Sequence, residues 1–258
     1  MGCMAGSFDS RLGLTGLAGV KGGAAMVSQG GRPASQRPQL KPFGRAILAV
    51  IMGIYGQMIL AIPIWYALGS PEQLGAAAEF GIKVATLVME CSVLLLIAID
   101  KESLTKYINL HSPGRILLFG LLAAIPLVAA NRVMQGWIIR FVHGEFAYYS
   151  RLTGSSLGAS LFLLLQIAYY FLEVFVLVYA YAKLAEGLRL YRSLPRWSIV
   201  ATGGLFLFVT WSLAHGFVIT NLMSFGIGLY LPFAFAALYD FTDSQITPAI
   251  TWLLFLAI

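Results

Sequence analysis

The sequence predicts an all-α, polytopic transmembrane helix bundle of about seven spans, the last one short or truncated. Three observations predict it. Hydrophobic residues make up 59% of the 258-residue chain and charged residues only 11%, less than half the ~25% usual in soluble domains. The mean hydropathy is +0.81. The apolar residues also fall in runs close to the ~20 that a helix needs to cross the hydrocarbon.

Residues 1–43 are rich in Gly, Ser and Ala and lack helical or alternating periodicity, which predicts a disordered tail. Arg11, Lys21, Arg32, Arg37, Lys41 and Arg45 precede the first span, and only Asp9 opposes them. Without aromatic interleaving or a nucleic-acid fold signal, this tail is not read as a nucleic-acid arm. It predicts a cytoplasmic N-terminus, because Lys and Arg stay on the cytoplasmic side. No apolar core precedes a cleavage site, so a secretory signal is not expected. An organelle transit segment and a true start at Met26 both fit. The opening Met-Gly-Cys lacks the Ser or Thr at position 6 that myristoylation wants, having Gly6 there.

The spans then follow in order. The first covers about Ala46–Leu68 and is closed by Gly69-Ser70-Pro71. The second covers about Gly81–Ile99, and Asp100, Lys101 and Glu102 mark water. The third covers about Ile116–Ile139, interrupted by Asn131-Arg132. Residues 140–156 are polar and Gly/Ser-rich, which reads as a loop. The fourth span is about Leu157–Leu184, the fifth Trp197–Thr220 and the sixth Leu222–Tyr239. The last run, Ile246–Ile258, reaches only ~20 Å of the ~30 Å core. It is either cut short or a helix that stops inside the bundle. The organisation is thus a basic tail over 1–43, three helices and their loops over 44–156, and a four-helix core over 157–258. Loops 100–115 and 183–196 are basic and fall inside with the tail, while 69–80 carries no Lys or Arg and falls outside. Loop 140–156 also falls outside, against its Arg140 and Arg151.

Two cysteines, Cys3 and Cys91, exclude a disulfide scaffold and any CxxC metal spacing. No metal site and no cofactor is expected. Only His215 lies deep in a span, since His111 and His143 sit in loops, so a haem held by two histidines is set aside. The last span has no Lys for a retinal Schiff base.

Ionisable residues inside spans are costly, and each marks a functional site whose partner must be found. Here they are Lys83 and Glu90 in the second span, Arg132 in the third, Glu173 in the fourth and His215 in the fifth. Lys83 and Glu90 are two turns apart on one face. They form a buried pair, or Lys83 snorkels to the interface; Arg132 is a second possible partner for Glu90. The fourth and fifth helices turn at Ser193-Leu194-Pro195. If the fourth continues past Lys183 to Leu188-Arg189, Glu173 and His215 lie equally far from the turn and meet at one level. Gln166, Tyr169, Tyr170 and Glu173 make a polar stripe at helical spacing, and Trp211 is one turn before His215. A buried Glu beside a His can share a proton and activate a water. The same pair also serves as a structural hydrogen bond between helices.

At these residues the chain resembles the CAAX-protease and bacteriocin-processing family of intramembrane glutamic endopeptidases, over roughly 158–258. Glu173-Val174-Phe175-Val176-Leu177-Val178 stands where that family carries Glu-Glu-x-x-x-Arg. Trp211-Ser212-Leu213-Ala214-His215 stands where it carries Phe-x-x-x-His. Leu229-Tyr230-Leu231-Pro232 through Ile250 is similar to the family's closing helix and turn, which places its final His and Asn at Trp252 and Leu256. The resemblance implies that Glu173 and His215 activate water for peptide hydrolysis. The chain departs from the pattern at the second Glu, at Val178 in place of Arg, and at both oxyanion positions. Loss of one oxyanion donor costs ~10²–10³ in rate, so a degenerate member is expected.

Three functions stay open. The chain is an intramembrane endopeptidase of this type acting on a membrane protein or peptide. Alternatively it is a non-catalytic integral membrane subunit of a larger complex, binding another membrane protein or lipid. The third reading is a proton-coupled carrier built on Glu90, Glu173, Arg132 and His215, although no inverted repeat supports it.

Overall fold

A computed structural model describes residues 41–69, 71–135, 140–191, 194–214 and 222–257. Among these residues every regular element is helical. Five helices are long and apolar enough to cross a membrane: Lys41–Leu68, Gln73–Ile99, Pro113–Ala130, Ser156–Leu190 and Phe225–Thr242. A shorter apolar helix follows at Ile246–Leu256. The chain is therefore an all-α, multi-pass integral membrane protein.

The first rod is α1 (Lys41–Ala49), a π-turn (Val50–Ile54) and α2 (Tyr55–Leu68). It starts earlier than the sequence suggests. Residues 41–43 are helical rather than tail, with Pro42 in the first turn, where its missing N–H costs nothing. Lys41 Nζ and Arg45 Nη2 lie 2.8 and 2.9 Å from Asp100 Oδ1, which ties this turn down. Residues 1–40 lie outside the described residues. The π-turn lets Gly53 sit against the helix that carries Val176, where a Cβ would come within 2.6 Å of Val176 Cγ1.

The second rod is α3 (Pro71–Glu90) and α4 (Ser92–Ile99), offset at Cys91. Gly75 breaks α3 with φ +79°, a left-handed value that only glycine adopts cheaply. A single 3₁₀ turn, Leu104–Lys106, follows, and α5 runs over Pro113–Gln135. The next element corrects the sequence reading. Residues 140–153 form a helix, α6 (Arg140–Thr153), and not a loop. Its polar residues hide an apolar face: Tyr149 is 2% exposed and stacks on Phe162 with ring centroids 5.0 Å apart.

The centre is α7 (Ser156–Tyr191), 36 residues and so about 54 Å long. Val174, Val176, Val178, Tyr179, Ala180 and Tyr181 are all buried, so this stretch has no lipid face. A helix apolar all round is buried all round, and α1, α3, α6, α8 (Arg196–Ala214) and the last helix, Ile246–Ala257, enclose it. As expected, α7 runs past Lys183 and Arg189 before the Leu194-Pro195 turn. Gly203 of α8 touches Tyr181, and a Cβ there would fall 2.3 Å from the ring. Small residues let helices approach this closely in lipid. The last helices are α9 (Leu222–Thr242), with Pro232 inside it, and α10 (Ile246–Ala257).

One end of α7 is charged and clasped. Lys183 Nζ donates to Glu102 Oε1 at 2.7 Å, Lys106 donates to the same oxygen at 2.8 Å, and Tyr107 donates to Glu102 Oε2 at 2.5 Å. Arg189 and Arg196 both donate to the carboxylate of Asp240 on α9. These contacts bind loop 100–107 and the ends of α8 and α9 to α7.

Candidate functional site

Glu173 sits mid-way along α7 and is 2% exposed. Trp211 on α8 donates its indole Nε1–H to Glu173 Oε1 at 3.3 Å. The two helices thus meet across the Leu194-Pro195 turn, with residue 173 against residue 211. That is one helical turn short of the partner expected at 215. His215 itself lies outside the described residues, and so does the proposed Glu173–His215 contact.

Beside Glu173 lies a cavity of about 10 Å³, room for about one water. Its walls include Leu207, Trp211, Leu231, Phe235 and Trp252. Trp252 comes from α10 and packs edge-on against Trp211, with ring centroids 6.1 Å apart, and against Tyr170 at 6.0 Å. Its Nε1 is buried and has no hydrogen-bond partner among the described residues. Trp252 therefore borders the Glu173 cavity. An indole there donates a proton in a hydrogen bond but cannot take one up. Leu256 is buried one turn further along α10 and does not border the cavity.

The polar stripe on α7 divides between two places. Tyr169 lies within electrostatic reach of Glu173, while Tyr170 turns to Trp252. Gln166 is hydrogen-bonded to Tyr170 and also reaches the neighbouring helices: its Oε1 accepts from Lys83 Nζ at 2.5 Å and from Tyr149 OH at 3.1 Å.

Lys83 does not pair with Glu90. Its second partner is Glu79, 3.6 Å away on the preceding turn. The reason is register. Lys83 and Glu90 on α3 are seven residues apart, as are Gln166 and Glu173 on α7, and the two helices run side by side in the same direction. Lys83 thus reaches Gln166, and Glu90 comes within electrostatic reach of Glu173. Glu90 is 1% exposed, and its Oε2 has no hydrogen-bond partner among the described residues. Helix α5, which carries Arg132, packs on α9 and α10.

Sequence reasoning singled out five of these groups but missed Glu79, Tyr149 and Gln166 as the partners of Lys83. It also missed Asp240 and Glu102 as charged clasps. An acid three or four residues from a base on one helix face is a readable signal for Glu79–Lys83. The other contacts join elements far apart in sequence. Among the described residues no group of three or more His, Cys, Asp or Glu could hold a metal ion.

The arrangement can hold a buried carboxyl group, donate to it from one indole and place one water beside it. Comparison of the chain with known families, curated proteins and solved structures returns no match. The functional reading therefore rests on the residues themselves.

Proposed function

We propose that the chain is a non-catalytic integral membrane subunit of about seven spans with a cytoplasmic N-terminus, which resembles the CAAX-protease and bacteriocin-processing family in architecture and not in chemistry. The observation that carries this reading is the size and lining of the cavity at Glu173. At about 10 Å³ it has room for about one water, and its walls would have to part to admit a peptide carbonyl beside that water. Hydrolysis needs the water, the base and the carbonyl together, with donors ready for the oxyanion. Trp252 and Leu256 stand at the two oxyanion positions that the resemblance implies. Val178, where the resemblance sets an Arg, is fully buried among apolar neighbours. What remains is a rigid aromatic and carboxyl core suited to holding helices α7, α8 and α10 in one arrangement for a partner in the membrane.

The test is peptidase activity. Purified full-length protein in detergent or bilayer discs is incubated with a lipid-anchored peptide, beside Glu173→Gln. Equal background from both proteins is expected. Turnover by the unmutated protein that Glu173→Gln removes would overturn the proposal and return the protease reading.

A second reading has one observation in its favour. Glu90 and Glu173 place two buried carboxyl groups within electrostatic reach of each other, and such pairs take up and release protons. Proton flux into liposomes that Glu90→Gln abolishes would favour a carrier.

A further inference from the structure

We propose that the groove between the Gly75 break of α3 and the last turns of α6 binds the phosphate of an anionic phospholipid headgroup. This site lies at the opposite end of α7 from the Asp240 clasp and does not depend on Glu173. Gly75, Tyr148, Arg151 and Leu152 line a groove of about 370 Å³. The break at Gly75 opens it: a Cβ built there would meet nothing within 4 Å.

Arg151 supplies the charge. It is exposed, and no described residue forms an ion pair or hydrogen bond with it. The only acid in α6, Glu145, is within electrostatic reach of Lys83 on α3. The amphipathic α6 thus buries Tyr149 against Phe162 and sets the Arg151 guanidinium at the mouth of the groove, with no partner among the described side chains. A guanidinium matches a phosphate in shape as well as charge. It also explains why Arg151 stands in a segment on the side of the bundle where the charge rule disfavours it.

A lipid fits the groove better than a soluble phosphate because apolar surface continues from it. Phe80, Val84 and Val88 follow Gly75 at helical spacing on α3 and are 46, 36 and 66% exposed. Phe80 packs edge-on against Phe162 of α7, with centroids 6.0 Å apart, so the stripe begins at the seam between the two spanning helices. A headgroup held at Arg151 would lay its acyl chain there.

The probe is dioleoylphosphatidylglycerol titrated against full-length protein in neutral detergent, with retained lipid counted by native mass spectrometry. Dioleoylphosphatidylcholine is the zwitterionic control. The unmutated protein should retain the glycerol lipid in preference, and Arg151→Gln should weaken that binding about fivefold. Arg151→Lys should recover part of it, and millimolar inorganic phosphate should not compete. Arg151 is exposed, so melting should be unchanged in all variants. Equal retention of the two lipids by the unmutated protein, or equal affinity in Arg151→Gln, would overturn the site. Competition by inorganic phosphate would overturn the choice of a lipid as its ligand.

Discussion

Lys83 Nζ lies 2.5 Å from Gln166 Oε1, and seven residues further along both helices Glu90 is within electrostatic reach of Glu173. The first rung of this ladder joins a cation to an acceptor, whereas the second brings two acids into each other's field. The rungs are about 10 Å apart along parallel helices, so α3 and α7 are locked in one register by polar groups inside an apolar bundle.

The first rung should show measurable coupling. In a double-mutant cycle, Lys83→Met and Gln166→Leu should each lower stability, and the double variant should lose less than their sum. Polar contacts between spanning helices are worth about 0.6–2 kcal/mol, and the cycle should return a value in that range. Melting of the four proteins in one detergent checks it. Strict additivity would mean that the contact holds nothing.

The second rung should behave in the opposite way. Glu90→Gln keeps the shape and removes a buried acid that faces Glu173 with one oxygen unpaired. Removing one of two like groups should leave stability unchanged or raise it by about 1 kcal/mol. A fall in melting temperature would show that Glu90 has a favourable partner.

Asp240 predicts an asymmetry. Its side chain is 1% exposed, while those of Arg189 and Arg196 are 54 and 56% exposed. In Asp240→Asn the two guanidiniums return to water, at a cost of about 1–2 kcal/mol. With both Arg189→Gln and Arg196→Gln, the carboxylate stays buried without its cations, which costs about 3 kcal/mol or more. Chemical denaturation in mixed micelles ranks the two, and a larger loss in Asp240→Asn would contradict the geometry.

Glu102 predicts a pH dependence. Burial pushes its pKa up, but hydrogen bonds from Lys106, Lys183 and Tyr107 outweigh this and bring it from 4.5 to about 2. A carboxylate whose pKa is depressed by folding adds stability above its unfolded value and loses it as pH falls through the folded one. Melting temperature should therefore drop between pH 4.5 and about 2. Glu102→Gln should flatten that part of the curve and melt lower at pH 7.

Close approach at Gly203 is the last test. Tyr181 is fully buried, and its ring leaves no room for a Cβ on α8. Gly203→Ala should cost about 1–3 kcal/mol, the usual penalty of overpacking. Thermal unfolding followed by circular dichroism measures it.

Length and hydropathy were enough to read five spanning helices and the shorter apolar one that follows them, because crossing lipid demands long apolar segments whatever their neighbours; the end of the expected fifth span, 215–220, lies outside the described residues. Helix α7 was legible down to its projection past Lys183. That its interior is enclosed on every side by other helices was decided only by the tertiary structure. Helix α6 was not legible from hydropathy, since its polar and apolar faces average out along the sequence. Glu173 was singled out from the sequence alone because a carboxylate in an apolar run is conspicuous. Its neighbours were not, because Trp211, Trp252 and Glu90 come from three other helices.

By itself the sequence determined that the chain crosses a membrane several times and which ionisable groups are carried inside. Only tertiary structure decided their partners: Gln166 and Glu79 for Lys83, Trp211 for Glu173, two arginines for Asp240. Hydrophobic length is a local property, summed along one segment against one solvent. Pairing depends on helix rotation and register, which are set by the packing of Gly53 on Val176 and Gly203 on Tyr181 and leave no trace in the periodicity of any single segment.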